Sequence, residues 1–384
     1  MDSPFVYDRY VTGRNFVGRK KECGVLGNLL GAGENVVMFE PPKAGKMSLI
    51  QQTMFNMRAS GKQFVICCAD LFNMRTTEDF LLKFGTAVIK AFATSPDQYE
   101  KAVSDYLGGT HFIFDKERYY QNGDIISMNW SVEPEDVSAM LALPYRVAMD
   151  KGVTLYVVFK EFQNIMCASG GESLLKSMEE LLSSRPSGCP VSFIMTGSRV
   201  NAMKYIFSYK KYFHRQVIHL PLMPVEQSEI IEHIVRGFLY GAGKSLDREL
   251  AVGACELFKC NMWYINHLAS VCDSMSKGYI SENIMMDALG SIISVHEPRF
   301  MSMVDDLTDH QLSLMRAILD GVVKFSSSDV IAKYRLNSSA NVLRVKEALK
   351  KKEIVTFNEK DEPLIMDPLF EYWIGRHYFE IQQQ

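Results

Sequence analysis

The stretch VMFEPPKAGKMSLIQQ, residues 37–52, decides how the chain is read. A phosphate-binding loop has the form GxxxxGK[ST] and joins a buried strand to a helix. Here the frame falls on Glu40-Pro41-Pro42-Lys43-Ala44-Gly45-Lys46-Met47. Gly45 and Lys46 are in place, but Glu40 stands where the first glycine belongs and Met47 replaces the hydroxyl that would bind magnesium. Whether this is a degenerate motif or a coincidence depends on what surrounds it.

The surroundings fit. NVVMF (35–39) is a short apolar run that suits a buried parallel strand. From Ser48, helical spacing runs to Gly61, and QFVICCADL (63–71) reads as a second strand. A helix is predicted from about Thr77 to Phe92. Residues 95–135 lack strong periodicity and read as an irregular insertion with short strands. A helix over 137–152, a strand at TLYVVF (154–159), a helix at 172–182 and strands at VSFIMTGS (191–198) and VIHLPL (217–222) follow. Alternation at these lengths predicts βαβ units and a parallel sheet. From Val225 to about His296 the pattern is purely helical. Helices at 309–319, 327–334 and 340–351, followed by the short strands EIVTFN and EPLIMD, have the order of a winged helix-turn-helix. The expected fold is α/β: a P-loop parallel-sheet domain (1–224), an all-α lid (225–300) and a winged-helix domain (301–384).

Composition narrows the classes. A chain of 384 residues with 47% hydrophobic and 23% charged residues can build two or three globular domains. A net charge of −3 argues against non-specific coating of nucleic acid, so any such contact needs a local patch. No apolar leader and no run of about 18 apolar residues occurs, which argues against a membrane and predicts a cytoplasmic protein. The eight cysteines are scattered and read as reduced, packed thiols. Cys255, Cys260, His267 and Cys272 do not have the paired spacing zinc usually takes, and no metal site is expected.

Further motifs occur in order. NFVGRKKEC (15–23) has an aromatic, Gly-Arg and a glutamate ahead of the first helix. ALPYRVAMDKGVTLYVVFKEFQNI (142–165) is a helix, an apolar strand and then Lys-Glu-Phe-Gln. FIMTGSRVNAMKYIF (193–207) carries Thr196 and Ser198 at a strand end, and YFHRQVIHLPLMPVEQSE (212–229) carries Arg215. The segment 307–374 closes with Asp367-Pro368-Leu369-Phe370. Together these resemble the archaeal-type P-loop ATPases, relatives of the AAA and STAND families, over almost the whole chain. The resemblance implies a Walker B region within 142–165, a sensor position at Thr196 and Ser198, and the family's arginine at Arg215. It also implies catalytic positions at Glu161 and Arg215. The nucleotide-binding positions it implies are Glu40, Pro41, Pro42, Lys43, Ala44, Gly45, Lys46, Met47, Ser48, Lys160 and Ser198.

The departures bear on chemistry. The Walker B aspartate is Lys160, and the family's Gly-His-Pro before tyrosine is missing from KCNMWYINHL (259–268), although Trp263 and Tyr264 remain. Magnesium normally takes a ligand from the hydroxyl after the loop lysine and help from the Walker B aspartate. Met47 offers a thioether, a poor partner for a hard cation. Ser48 comes one residue late, about 100° further round the helix. An ammonium about 4 Å from a divalent cation, at an effective dielectric of ~20, costs on the order of 8 kcal/mol before rearrangement. Magnesium binding in the usual manner should fail.

Two readings of the new charges stay open. Lys160 neutralises phosphate directly, so that ATP or ADP binds without metal, or Glu40 pairs with Lys46 or Lys160 and fills the site so that no nucleotide binds. Glu161 is either a catalytic base or an ion-paired glutamate, and Arg215 an arginine finger or a structural ion pair. Arg344, Lys346, Lys350, Lys351 and Lys352 on or after the recognition helix could touch DNA phosphates, diluted by Glu347, Glu353, Glu359 and Asp361. The expected function is a pseudo-ATPase acting as a regulatory or scaffolding interaction protein with a protein partner. The alternatives are an ATP-binding switch without efficient turnover, or a DNA-associated factor.

Overall fold

A computed structural model describes residues 3–185 and 188–381. The strands, in chain order, are β1 (Asn35–Phe39), β2 (Val65–Asp70), β3 (Phe112–Ile113), β4 (Ser127–Met128), β5 (Leu155–Lys160), β6 (Val191–Gly197), β7 (Val217–His219), β8 (Ser245–Leu246), β9 (Tyr279–Ile280), β10 (Val355–Phe357) and β11 (Pro363–Ile365). Five of them form one parallel sheet in the order β2-β5-β6-β1-β7. Every residue of β1 and β6 is buried, so both faces of the sheet centre are covered. That is why these strands read as unbroken apolar runs.

The chain divides into two compact units. One holds Lys21–Glu40 and Thr53–Leu222, and with them the sheet. The other holds the described residues up to Lys20, the segment Pro41–Gln52, and the chain from Met223 onward.

In the sheet unit, Phe159 of β5 has no exposed surface and lies among the rings of Phe80, Phe84, Phe162 and Phe193, with centroids 5.4–5.9 Å away. Asn35, itself buried, accepts from the Phe193 N–H and donates to the Gln216 carbonyl, fixing β1 between its neighbours. The insertion read as irregular contains the helix Pro96–Leu107 and the helix Lys116–Asn122 as well as the short β3–β4 pair. The signal for Pro96–Leu107 was present: Ser95 caps it, Pro96 opens it, and Tyr99, Val103 and Leu107 share its buried face.

In the other unit, the helices after Met223 surround a core that includes Phe238, Phe258, Tyr264, Leu289 and Phe300. The region expected to be purely helical also carries a two-strand parallel ladder, β8 with β9. Those strands are two residues each, below what a periodicity search resolves, and they stand apart from the five-stranded sheet. The helices Asp309–Leu319, Ser328–Lys333 and Ser339–Lys351, followed by the antiparallel β10–β11 pair, form the winged helix. Among the described residues, no helix is long and apolar enough to cross a membrane.

Phe159→Ala removes a ring from the centre of this packing and should cost about 3–5 kcal/mol. The measurement is the loss of midpoint in urea denaturation at unchanged slope.

Candidate functional site

After β1 the chain turns through Pro41–Gly45 and enters the helix Lys46–Ala59. Gly45 has φ +90°, a conformation glycine tolerates, and a Cβ there would lie 3.0 Å from Arg19 Nη1. That guanidinium donates to the Ala44 carbonyl at 2.7 Å, so the opening box of the sequence braces the loop. Lys46 is buried, and its ammonium donates to the Pro41 carbonyl at 3.0 Å, across the turn it belongs to. The Ser48 hydroxyl accepts from the Val11 N–H at 3.2 Å. The loop therefore has the hairpin-and-helix form of a phosphate loop, with its cation and its late hydroxyl both engaged by backbone.

Lys43 behaves differently from any expectation. Its φ is +65°, in the left-handed region that costs a non-glycine residue about 1–2 kcal/mol. Its ammonium lies 3.5 Å from the centroid of Trp263 and 4.8 Å from that of Tyr264, on the helix Met262–Met275. A desolvated cation over an aromatic face gains on the order of 2 kcal/mol, enough to offset the backbone strain. The seat is ordered from several sides. Tyr7 stacks on His267 with centroids 4.3 Å apart and meets Trp263 edge-on. The Tyr264 hydroxyl donates to Asp367 at 2.7 Å, Arg299 pairs with Asp367 at 2.5 Å, and Asp367 caps the helix Pro368–Trp373. Burial lowers the Lys43 pKa from 10.5 to about 8, against the opposing pull of Asp367 and with a further push from Arg299. Burial, with His296 and Lys43 nearby, also lowers His267 to about 4, so that imidazole is neutral near pH 7.

The C-terminal edge of the sheet holds the other candidate residues. Lys160 ends β5 and is the register partner of Asp70, which ends β2. Their charged groups are 3.9 Å apart, with the Lys160 side chain about a quarter exposed and that of Asp70 about half. Asp70 is a partner that sequence reading did not name, because it depends on which strand lies beside β5. Glu161 follows with φ +53°. One of its oxygens accepts from the Ser198 hydroxyl and from the Gln163 amide, both at 2.6 Å. Thr196 is buried and donates to the Phe159 carbonyl, which ties the end of β6 to β5. Glu161, Gln163 and Ser198 line a cavity of about 660 Å³ whose other walls include Arg75, Asn164 and Arg199. One oxygen of Glu40 accepts from the Leu222 N–H at 3.2 Å. Arg215 is exposed with φ +63° beside a separate cleft of about 150 Å³.

On the helix Ser339–Lys351, two of the five candidate cations are tied up inside the winged helix. Lys346 makes two bonds to the Asp361 carboxylate at 2.5 and 2.6 Å and lies 4.2 Å over the Phe357 ring. Lys350 pairs with Glu347 at 2.8 Å. Arg344, Lys351 and Lys352 are exposed. Among the described residues, no group of three or more His, Cys, Asp or Glu is placed to hold a metal.

This loop-strand-helix arrangement on a β2-β5-β6-β1-β7 parallel sheet, followed by helices and a winged helix, is the fold of the P-loop ATPases. Solved structures that share this architecture over nearly their whole length are 11–15% identical in sequence, so the likeness is one of fold. The Walker-type ATPase PABY2304 of Pyrococcus abyssi superposes with a TM-score of 0.66 at 15% identity, covering 96% of this chain and 99% of that one. The ADP form of the Aeropyrum pernix ORC2 protein gives 0.54 at 14%, covering 96% and 94%. The Aeropyrum pernix ORC1 protein in complex with DNA gives 0.50 at 11%, covering 98% and 97%. A protein-family model described as "Probable winged helix domain" matches residues 298–376. No curated protein matches the chain by sequence.

Because the folded pKa of Lys43 lies below its unfolded value, the buried ammonium opposes folding below about pH 8, and that penalty is relieved between about 8 and 10.5. The unfolding free energy of the native protein, minus that of Lys43→Met, should therefore rise with pH across this window. A flat difference would remove Lys43 from the seat on Trp263.

Proposed function

We propose that the protein is a degenerate AAA/STAND-like ATPase, a pseudo-ATPase that acts as a regulatory or scaffolding interaction protein with little or no ATP hydrolysis. The observation that carries this is Lys160: an ammonium, paired with Asp70, ends the strand where the metal-supporting carboxylate is needed. Met47 removes the other protein support for magnesium. Glu161 shares one oxygen between Ser198 and Gln163, an arrangement that holds a carboxylate still rather than presenting it to a water.

Phosphate release with ATP and magnesium should equal the buffer blank, and Lys46→Ala should leave it there. Turnover in the native protein that Lys46→Ala abolishes would overturn the proposal. Restoring the replaced groups should restore the metal: Glu40→Gly, Met47→Thr and Lys160→Asp together should gain magnesium-dependent ATP binding by calorimetry, while each alone does little. If the triple variant binds no better than the native chain, the three replacements are not what closes the site.

A metal-free nucleotide mode is the second reading, supported by the retained Lys46 at a helix N-terminus, where backbone N–H groups and the dipole favour anions. ATP or ADP would then bind equally with and without magnesium. DNA contact through the winged helix is the third. Its support is the DNA complex formed by the Aeropyrum pernix ORC1 protein, and the exposed Arg344, Lys351 and Lys352. With Lys346 and Lys350 committed to carboxylates, it predicts a shallow salt dependence, about three phosphates' worth, in DNA retention.

A further inference from the structure

The helices Arg248–Leu257, Glu282–Asp305 and Pro368–Trp373 enclose an open groove of about 630 Å³. Its floor is apolar: Leu250, Leu257, Leu268, Met285, Leu289 and Tyr372 line it. Met285 and the exposed Met286 give one wall two unbranched, polarisable side chains, which adapt to different apolar shapes. On the opposite wall Gly253 faces the groove, and a Cβ built there would meet nothing within 4 Å.

The rim has a sign. Four glutamates, Glu249, Glu256, Glu282 and Glu371, stand against two cations, Lys259 and Arg376. Lys259 is already paired with Glu371. Glu249, Glu256 and Glu282 are exposed, and none of the three forms an ion pair among the described residues. Carboxylates left in water around an apolar channel repel an acidic or phosphate-bearing ligand and steer a basic one. An apolar floor with walls of helix and a charged rim is the geometry in which an amphipathic helix docks through residues one turn apart.

We propose that this groove is a docking site for a basic amphipathic helix of a protein partner, with its apolar stripe on the Leu257–Met285 floor and its lysines or arginines against Glu249, Glu256 and Glu282. The inference rests on the reading of the chain as an interaction protein. It fails separately from that reading, because the groove is tested without nucleotide and the hydrolysis assay does not involve the groove.

The test uses the whole 384-residue chain and fluorescein-labelled synthetic helices of roughly 18 residues, long enough to hold helical structure. One has a leucine stripe flanked by lysines, and the other has the same stripe flanked by glutamates. Fluorescence anisotropy should show the leucine–lysine helix binding with an affinity that falls as salt rises, and the leucine–glutamate helix binding at least tenfold more weakly. Gly253→Trp fills the channel and should weaken the leucine–lysine helix at least tenfold. In a second variant, Glu249→Lys with Glu282→Lys, the preference between the two helices should shrink or reverse. Equal binding of both helices by the native protein would overturn the proposal. So would unchanged binding in a Gly253→Trp variant whose circular dichroism and melting match the native chain. If that variant does not fold, the rim reversal decides alone: an unaltered preference for the basic helix would place its binding elsewhere.

Discussion

Burial of both faces of the parallel sheet is the constraint on which the rest of the structure depends. With every residue of β1 and β6 packed away, a charged side chain on these central strands has no place except beyond their ends. Parallel strands bring their C-terminal ends to one edge, so Asp70, Lys160, Glu161 and Ser198 meet there by topology alone. An ammonium at such an edge must find an anion nearby, and the register of β2 on β5 supplies Asp70. A half-exposed pair of this kind contributes about 0–1 kcal/mol to stability. Its consequence is local: it sets the sign of the charge facing outward from the end of β5.

The loop after β1 obeys a second constraint, that of its backbone. Gly45 meets it with the residue type that accepts φ +90°. Lys43 meets it with a side chain that must be compensated, and the compensation comes from the helix Met262–Met275 through the ring of Trp263. Because Asp367 receives Tyr264 and Arg299 while capping the helix Pro368–Trp373, the seat of one loop lysine is continuous with the winged helix. A residue at a position the loop motif leaves open has become a packing element of the unit that carries the loop.

The winged helix shows why a count of basic residues is a weak guide to partners. Five cations in the sequence suggest a phosphate-binding face, yet Lys346 lies on Phe357 with both oxygens of Asp361, and Lys350 takes Glu347. Two of the four acidic residues that dilute the patch along the chain, Glu347 and Asp361, are in space the partners of two of its members.

Much of the architecture was legible in the chain alone, for physical reasons. Strands buried on both faces must be continuous apolar runs, so β1, β5 and β6 announced themselves, the edge strands β2 and β7 were legible as apolar runs as well, and the winged helix followed from the order of three helices and two short strands. Glu40 and Met47 were visible as departures because a loop motif ties residue type to position, and Lys160 as a departure from the Walker B region that the resemblance implied. What periodicity could not reach were features that depend on neighbours far along the chain. The two-residue strands β8 and β9 exist only through each other. The helix Pro96–Leu107 was missed although its cap and apolar spacing were in the sequence. Above all, the partners of the unusual charges were decided by folding: Asp70 for Lys160 through strand order, Trp263 for Lys43 through the docking of a helix more than two hundred residues away, and Leu222 for one oxygen of Glu40 through the end of the sheet. A sequence fixes which charges must be satisfied, and only the packed chain determines which groups come close enough to satisfy them.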